Sequence, residues 1–322
     1  MLKKFLRWFK EFLPVALLIK VLSNARLPGY KEISVYDVLR YFLNGLLKVN
    51  LSLRASAISY NFFVALFPAI IFLFTLIAYL PIQDIDILIL DGLNKIIPNV
   101  AFEAVKDTIQ DIAGRQRGGL LSIGFAFALF FSTNGILSII EAFNTSLKKK
   151  EIRTPFKMRI VAFILTVLIV LMLLTAASIL ILSSSFVTKY LMFDFLGNDF
   201  NYFLIKIGRW IIFYLILLFA VASLYYWGPG KKVRIQFFSI GAMVTSLLMM
   251  LLIVAFSYVI SNFGQYNKIY GSIGALLIIL LLINLNAFLL LIGFEFNIIV
   301  YRLKQIHASK KIAEELKITI QE

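Results

Sequence analysis

Six nearly uncharged apolar runs, each long enough to cross a bilayer as a helix, leave this 322-residue chain few ways to fold. A hydrocarbon core of about 30 Å takes roughly 20 helical residues at 1.5 Å each. The runs cover approximately Ala55 to Pro81, Gly119 to Asn144, Arg159 to Ser185, Gly208 to Trp227, Phe237 to Ile260 and Ser272 to Val300. Hydrophobic residues make up 61% of the chain, against about 45–50% apolar residues in soluble domains, so a water-soluble core cannot absorb them. Lipid must be their solvent, and inside lipid the backbone has to satisfy itself. The expected fold class is therefore all-α: a polytopic membrane protein of about six transmembrane helices. Residues 55–300 form the membrane domain, preceded by an interfacial segment (1–54) and followed by a short tail (301–322).

The net charge of +15 gains meaning once each charge is assigned to a side. Ten Lys and Arg precede Ala55, six lie between the second and third runs, three between the fourth and fifth, and five follow the sixth. Together these 24 fall on one side and the remaining eight on the other. Such a bias places the basic side, with both termini, in the cytoplasm. The same residues attract anionic headgroups, so membrane lipids are the expected partners. The charges flank spans and form no compact basic domain, so nucleic acid is not an expected partner. With no cysteine the chain has neither a disulfide framework nor a thiolate. The basic start is broken by Glu11, Pro14 and Lys20 and carries no small-residue cleavage site, so no removable signal peptide is expected.

Two N-terminal helices are expected to lie along the membrane. Phe5, Leu6, Phe9, Phe12, Leu13, Ala16 and Leu17 recur at helical spacing, with Lys3, Lys4, Arg7 and Lys10 opposite. After the LPGY turn, Ser34 and Asp37 make an S-x-x-D start for a second helix bearing Val38, Leu39, Phe42, Leu46 and Leu47. It is expected to run into the first span near Arg54. The outer loop at 82–118 is too long for a connector. Phe102, Val105, Ile109 and Ile112 point to a short amphipathic helix there. Asp84, Asp86 and Asp91 read as a solvated acidic face more than as a divalent-cation site, because their spacing scatters them around a helix.

Polar groups within apolar runs cost several kcal/mol unless paired, so each is a candidate for function. Asn134, Ser138, Glu141 and Thr145 fall on one face of the second span. Asn284 and Glu295, eleven residues apart, share a face of the sixth, and Asn286 and Asn297 form a parallel pair. The first span adds Ser52, Ser56, Ser59 and Asn61, with a kink expected at Pro68. The third and fifth spans are nearly pure apolar wall. One reading is a hydrated cavity open to the cytoplasm and lined by Glu295, Glu141, Asn134, Asn61 and Asn284, with Arg159 or Arg54 pairing a carboxylate. The other is that these groups only hydrogen-bond helix to helix. Between the fifth and sixth spans, Tyr266, Asn267, Tyr270 and Gly271 suit either an outer gate or an aromatic-belt hairpin.

A set of ordered fragments carries a family resemblance. They are Ala57-Ile-Ser-Tyr60 with Leu66-Phe67-Pro68, then Glu141-Ala-Phe-Asn144 leading to Arg153. Tyr225 to Pro229 follows with Val233-Arg234 and Gly241-Ala242, then Tyr266-Asn267-Lys268 with Tyr270-Gly271-Ser272, and Gly293-Phe-Glu295-Phe-Asn297. From about Ser34 to Val300 the chain resembles the YihY/virulence factor BrkB family of bacterial inner-membrane proteins, formerly named ribonuclease BN. Ile283 and Asn284 stand where the family pattern calls for a bulky aromatic. The resemblance implies a protein of envelope integrity in the inner membrane, with transport of lipid, lipid-linked precursors or small osmolytes among its roles. Nuclease chemistry is not expected. His307 is the sole histidine, no paired acidic cluster stands in a soluble segment, and no metal or other cofactor is implied. No G-x-x-x-x-G-K-[ST] loop is present, so any active transport must draw on a gradient or a partner. Transporter or translocator and non-transporting scaffold both stand as readings, and a homo-oligomer is compatible with either.

Overall fold

A computed structural model describes residues 21, 23–27, 30–46, 50–77, 79, 117–147, 153–190, 198–230, 235–262 and 264–321. The first amphipathic segment, the aspartates of the expected outer loop, and the basic stretches at 148–152 and 231–234 lie outside them.

The chain enters through a small antiparallel hairpin, β1 (Arg26–Leu27) and β2 (Tyr30–Ser34), with Leu27 opposite Tyr30. Ser34 then starts α1 (Val35–Leu46) as its sequence foretold. Its Oγ accepts the Asp37 N–H at 3.1 Å and donates to Asp37 Oδ2 at 2.8 Å. Val38 is buried against Ile299, Val300 and Leu303, while Leu39 and Leu43 stay exposed as an interfacial helix requires. α1 ends at Leu46 and the first long helix begins at Leu51, so the two are separate elements rather than one run.

Six long helices follow: α2 (Leu51–Ile77), α3 (Gly118–Ser146), α4 (Pro155–Tyr190), α5 (Asn198–Trp227), α6 (Ile240–Asn262) and α7 (Gly264–Gln321). All six are long and apolar enough to cross a membrane. Pro68 lies inside α2, which continues past it. α7 passes through Val300 without a break, so the expected tail is helix continuous with the sixth span.

Each long helix packs on the next in chain order, and α7 returns to pack on α2, closing a ring of six; α7 also touches α3 across it. Where the helices converge, the fully buried side chains include Ile58, Ile140, Phe143, Leu165, Tyr225, Leu291, Phe294 and Ile298. Outward-facing Phe163, Ile164, Leu171, Leu173 and Leu174 give α4 a bare apolar flank suited to lipid. Apolar residues gain nothing by moving from acyl chains to a protein interior, so close fit and hydrogen bonds must hold the ring.

Candidate functional site at the basic end of the bundle

Of the fragments that carry the family resemblance, those holding Phe143 and Asn144, Tyr225, Gly241, and Phe294 and Asn297 are far apart in sequence and meet at one end of the ring, where α3 and α5 end. Their centre is aromatic. The rings of Phe143 and Phe294 stack at 3.9 Å, and Tyr225 sits edge-on to Phe143 at 5.6 Å and tilted against Phe294 at 5.5 Å. Tyr225 is fully buried, so its hydroxyl needs partners. It donates to the Leu290 carbonyl at 2.7 Å and lies 3.1 Å from Thr245 Oγ1. This contact requires α6 and α7 to approach closely, and glycines permit it. A methyl on Gly293 would overlap the Thr245 hydroxyl, and one on Gly241 would overlap Asn297 Oδ1.

Asn297 is a bridge between those two helices. Its Oδ1 accepts the Gly241 N–H at 3.0 Å, and its Nδ2 donates to Ser239 Oγ at 2.8 Å. Ser239 Oγ in turn accepts the Ala242 N–H at 3.2 Å. The first turn of α6 is thus capped partly by its own serine and partly by α7. A cleft of about 20 Å³, room for one water, lies beside this cap between Gln236, Tyr301 and Lys304.

A second clamp holds the turn after α5. Asn144 Oδ1 accepts the Gly230 N–H at 2.9 Å, and Arg153 Nη2 donates to the Gly228 carbonyl at 2.7 Å. Close by in sequence, Phe219, Tyr226, Trp227, Phe237 and Phe238 form a chain of ring contacts with centroids 4.9 to 6.5 Å apart. Tyr226, Trp227 and Phe238 are exposed, which suits a bilayer boundary.

The structure separates the residues singled out from sequence into different settings. Asn61 donates to Ser138 Oγ at 2.7 Å and to the Ala57 carbonyl at 3.1 Å, joining α2 to α3. Asn284 reaches Ser59 Oγ at 3.2 Å and Ser56 Oγ at 3.4 Å, joining α7 to α2. Asn134 is half-buried, its carbonyl accepting from Ser138 Oγ at 3.1 Å. Glu141 is exposed, because its neighbours Ala142 and Phe143 take the inward face of α3.

Glu295 is only 7% exposed, and its Oε1 is enclosed without a hydrogen-bond partner among the described residues. By helical spacing it falls on the face of α7 that carries Asn284, about 16 Å further along that helix. The ion pair expected with an arginine is not formed among the described residues. Arg159 is exposed on α4, its guanidinium carbon 5.8 Å from the centre of the Phe130 ring. Arg54 donates instead to Ser146 Oγ at 3.0 Å and to the Ala142 carbonyl at 3.5 Å. Both partners lie in the last turns of α3, whose C-terminal end carries partial negative charge that attracts a cation.

The segment expected as an outer gate differs in form. α6 ends at Asn262 and α7 begins at Gly264, so Tyr266, Asn267, Tyr270 and Gly271 occupy the opening turns of a helix rather than a loop. Their side chains lie outside the described residues. Sequence reasoning about sites passed over Thr245, Ser239 and Arg302, all of which bond across helices here. It did not give Asn144, Arg153, Tyr225 and Asn297 a site role either. Their signal was faint: Asn144 stands at a span end, and Asn297 is about 200° around the helix from Glu295.

A ribonuclease-like protein, YfkH, of Bacillus subtilis is 28% identical over 254 residues, covering 79% of this chain and 91% of that protein. A UPF0761 membrane protein of Vibrio campbellii is 26% identical over 264 residues, 80% of this chain and 79% of the relative. Another from Coxiella burnetii is 25% identical over 248 residues, 74% and 84% respectively. No solved structure matches the chain. The family described as Virulence factor BrkB matches residues 42–317, from α1 through nearly the whole of α7, and the chain belongs to that family of multi-pass membrane proteins.

Proposed function

We propose that this protein is a transporter or translocator of a lipid, a lipid-linked precursor or a small solute, and that Glu295 is the group on which movement depends. The carrying observation is that carboxylate: nearly enclosed, on an apolar helix, with an oxygen that lacks a partner among the described residues. A carboxylate in this position costs several kcal/mol, more than a purely structural seam of amides would require. The amides and serines between α2, α3 and α7 form a polar seam. The basic end faces the bacterial cytoplasm, on the bias of 24 Lys and Arg to eight. On this reading anionic lipid surrounds that end, and loss of the protein is expected to weaken the envelope.

The test is flux in reconstituted vesicles, comparing the parent with Glu295→Gln for a fluorescent lipid and for small osmolytes. Undiminished flux in the variant would sink the role of Glu295. Tags at either end, probed from outside intact cells, test the orientation.

A second reading, a non-transporting scaffold, draws on the fact that Asn61, Asn284 and Asn297 all join one helix to another. It predicts no flux in the parent and a failure of assembly in the variants. The reading is non-enzymatic in both forms, in spite of the ribonuclease-like name of YfkH. His307 sits with Nδ1 2.9 Å from the Leu303 carbonyl of its own helix, and among the described residues no three of His, Asp and Glu gather. RNA cleavage by the purified protein at a rate tracking a mutation in the bundle would reverse this.

A further inference from the structure

Two guanidinium groups from opposite ends of the ring's sequence meet on one residue. Arg54, in the first turn of α2, donates Nη1 to Ser146 Oγ at 3.0 Å, and Arg302, on α7, donates Nη2 to the Ser146 carbonyl at 3.3 Å. Arg54 also reaches the Ala142 carbonyl at 3.5 Å. Like charges brought to one point repel, and neither arginine has an ion-pair partner among the described residues. The end of α3 supplies roughly half a negative charge, which cannot balance two cations. Glu141 is near in sequence but exposed and unpaired with either; Glu295 lies two turns before Arg302 on α7, likewise unpaired with both. Each guanidinium carries five N–H donors in a planar fork, and these bonds engage only one nitrogen of each. Arg54 is half-buried and Arg302 exposed, so the pair opens outward at the level where the spans end.

We propose that Arg54 and Arg302, held together on Ser146, form a binding site for a phosphate group, and that in the membrane the phosphate is that of an anionic lipid. The fork geometry matches a tetrahedral oxyanion, which accepts paired N–H bonds from each guanidinium and cancels the repulsion between them. Because one arginine comes from the first long helix and the other from the last, the bound headgroup bridges the seam at which the ring closes. This site is independent of flux through Glu295.

The test uses the full chain, purified with lipid. The parent in nanodiscs is expected to retain phosphatidylglycerol over phosphatidylcholine by roughly tenfold, measured by native mass spectrometry after delipidation. Arg54→Gln with Arg302→Gln should reduce that preference to near unity, while Lys157→Gln, an exposed basic residue at the same end, should keep it. The single variant Arg302→Gln loses one long bond from an exposed side chain, so it remains informative if the double variant does not assemble; it should lose at least threefold. If phosphatidylglycerol shows no preference but inorganic phosphate raises the Tm of the delipidated parent and not of the Arg302→Gln variant, the site takes free phosphate instead. Equal loss in Lys157→Gln, or full retention in the arginine variants together with no response to phosphate, overturns the proposal in favour of diffuse surface attraction.

Discussion

Gly293→Ala tests the close approach of α6 and α7 that the aromatic centre depends on. The added methyl would overlap the Thr245 hydroxyl and stand 2.6 Å from the Tyr225 hydroxyl, well inside van der Waals contact. Overpacking of a filled core costs about 1–3 kcal/mol. Displacing Thr245 also strains its 3.1 Å contact with Tyr225, worth about 1 kcal/mol. The expected loss is therefore about 3 kcal/mol. Thr245→Ala alone should cost about 1 kcal/mol, since Tyr225 keeps its bond to the Leu290 carbonyl. If the effects were independent the double variant would lose about 4 kcal/mol. Removing the Thr245 hydroxyl removes the worst overlap, however, leaving its Cβ at 3.0 Å and the Tyr225 hydroxyl to be accommodated. The double variant should lose only about 2–3 kcal/mol, a favourable coupling of 1 kcal/mol or more. Reversible unfolding of the purified protein in mixed micelles with increasing SDS gives all four corners of the cycle. A Gly293→Ala protein as stable as the parent would refute the tight α6–α7 approach, and strict additivity would refute Thr245 as the group in the way.

Asn297→Ala leaves the Gly241 N–H and Ser239 without their α7 partner and should destabilise by about 1–3 kcal/mol, with faster hydrogen exchange confined to the first turn of α6. Arg153→Gln frees the Gly228 carbonyl and should raise protease cleavage at 228–230, while cleavage elsewhere stays unchanged. Asn284→Leu removes two long bonds, 3.2 and 3.4 Å, and should cost no more than about 1 kcal/mol in the SDS titration. Glu295→Gln should be at least as stable as the parent in the same titration, by up to about 2 kcal/mol, because a neutral amide is easier to enclose than a carboxylate lacking a partner.

The number of helices and their approximate extents could be read from hydropathy because lipid forces each run to satisfy its own backbone. The Ser34 cap was equally readable, since its partner is only three residues away. Which faces meet was not readable. In water the buried face of a helix is marked by being apolar; in a bilayer the exposed face is apolar too, and the pattern loses its contrast. Only polar and small residues then carry the signal, and they are ambiguous in kind. Asn61 and Asn284 did mark contacts with α3 and α2, but nothing in periodicity separates Glu141, which faces outward, from Glu295, which is enclosed. Nothing in the sequence separates Tyr225 from its neighbours Tyr226 and Trp227, and only the ring of helices makes it the centre. The Asn144 and Arg153 clamp, and the meeting of Arg54 with Arg302, join residues 75 to 248 positions apart. That information lies in closure, not in any local window.

Closure of the ring through α2 and α7 also constrains biosynthesis. The helices emerge in the order in which they pack, so each newly inserted span finds a neighbour already waiting, with one exception. α2, first to enter the membrane, has a flank that stays bare until α7 arrives from the end of the chain. Ser56 and Ser59 wait on that flank for Asn284. A chain halted before α7 is therefore an open arc with two unmatched edges, suited to capture by membrane quality control. Completion of the last helix, rather than insertion of any earlier one, is the step that commits the protein to its final form.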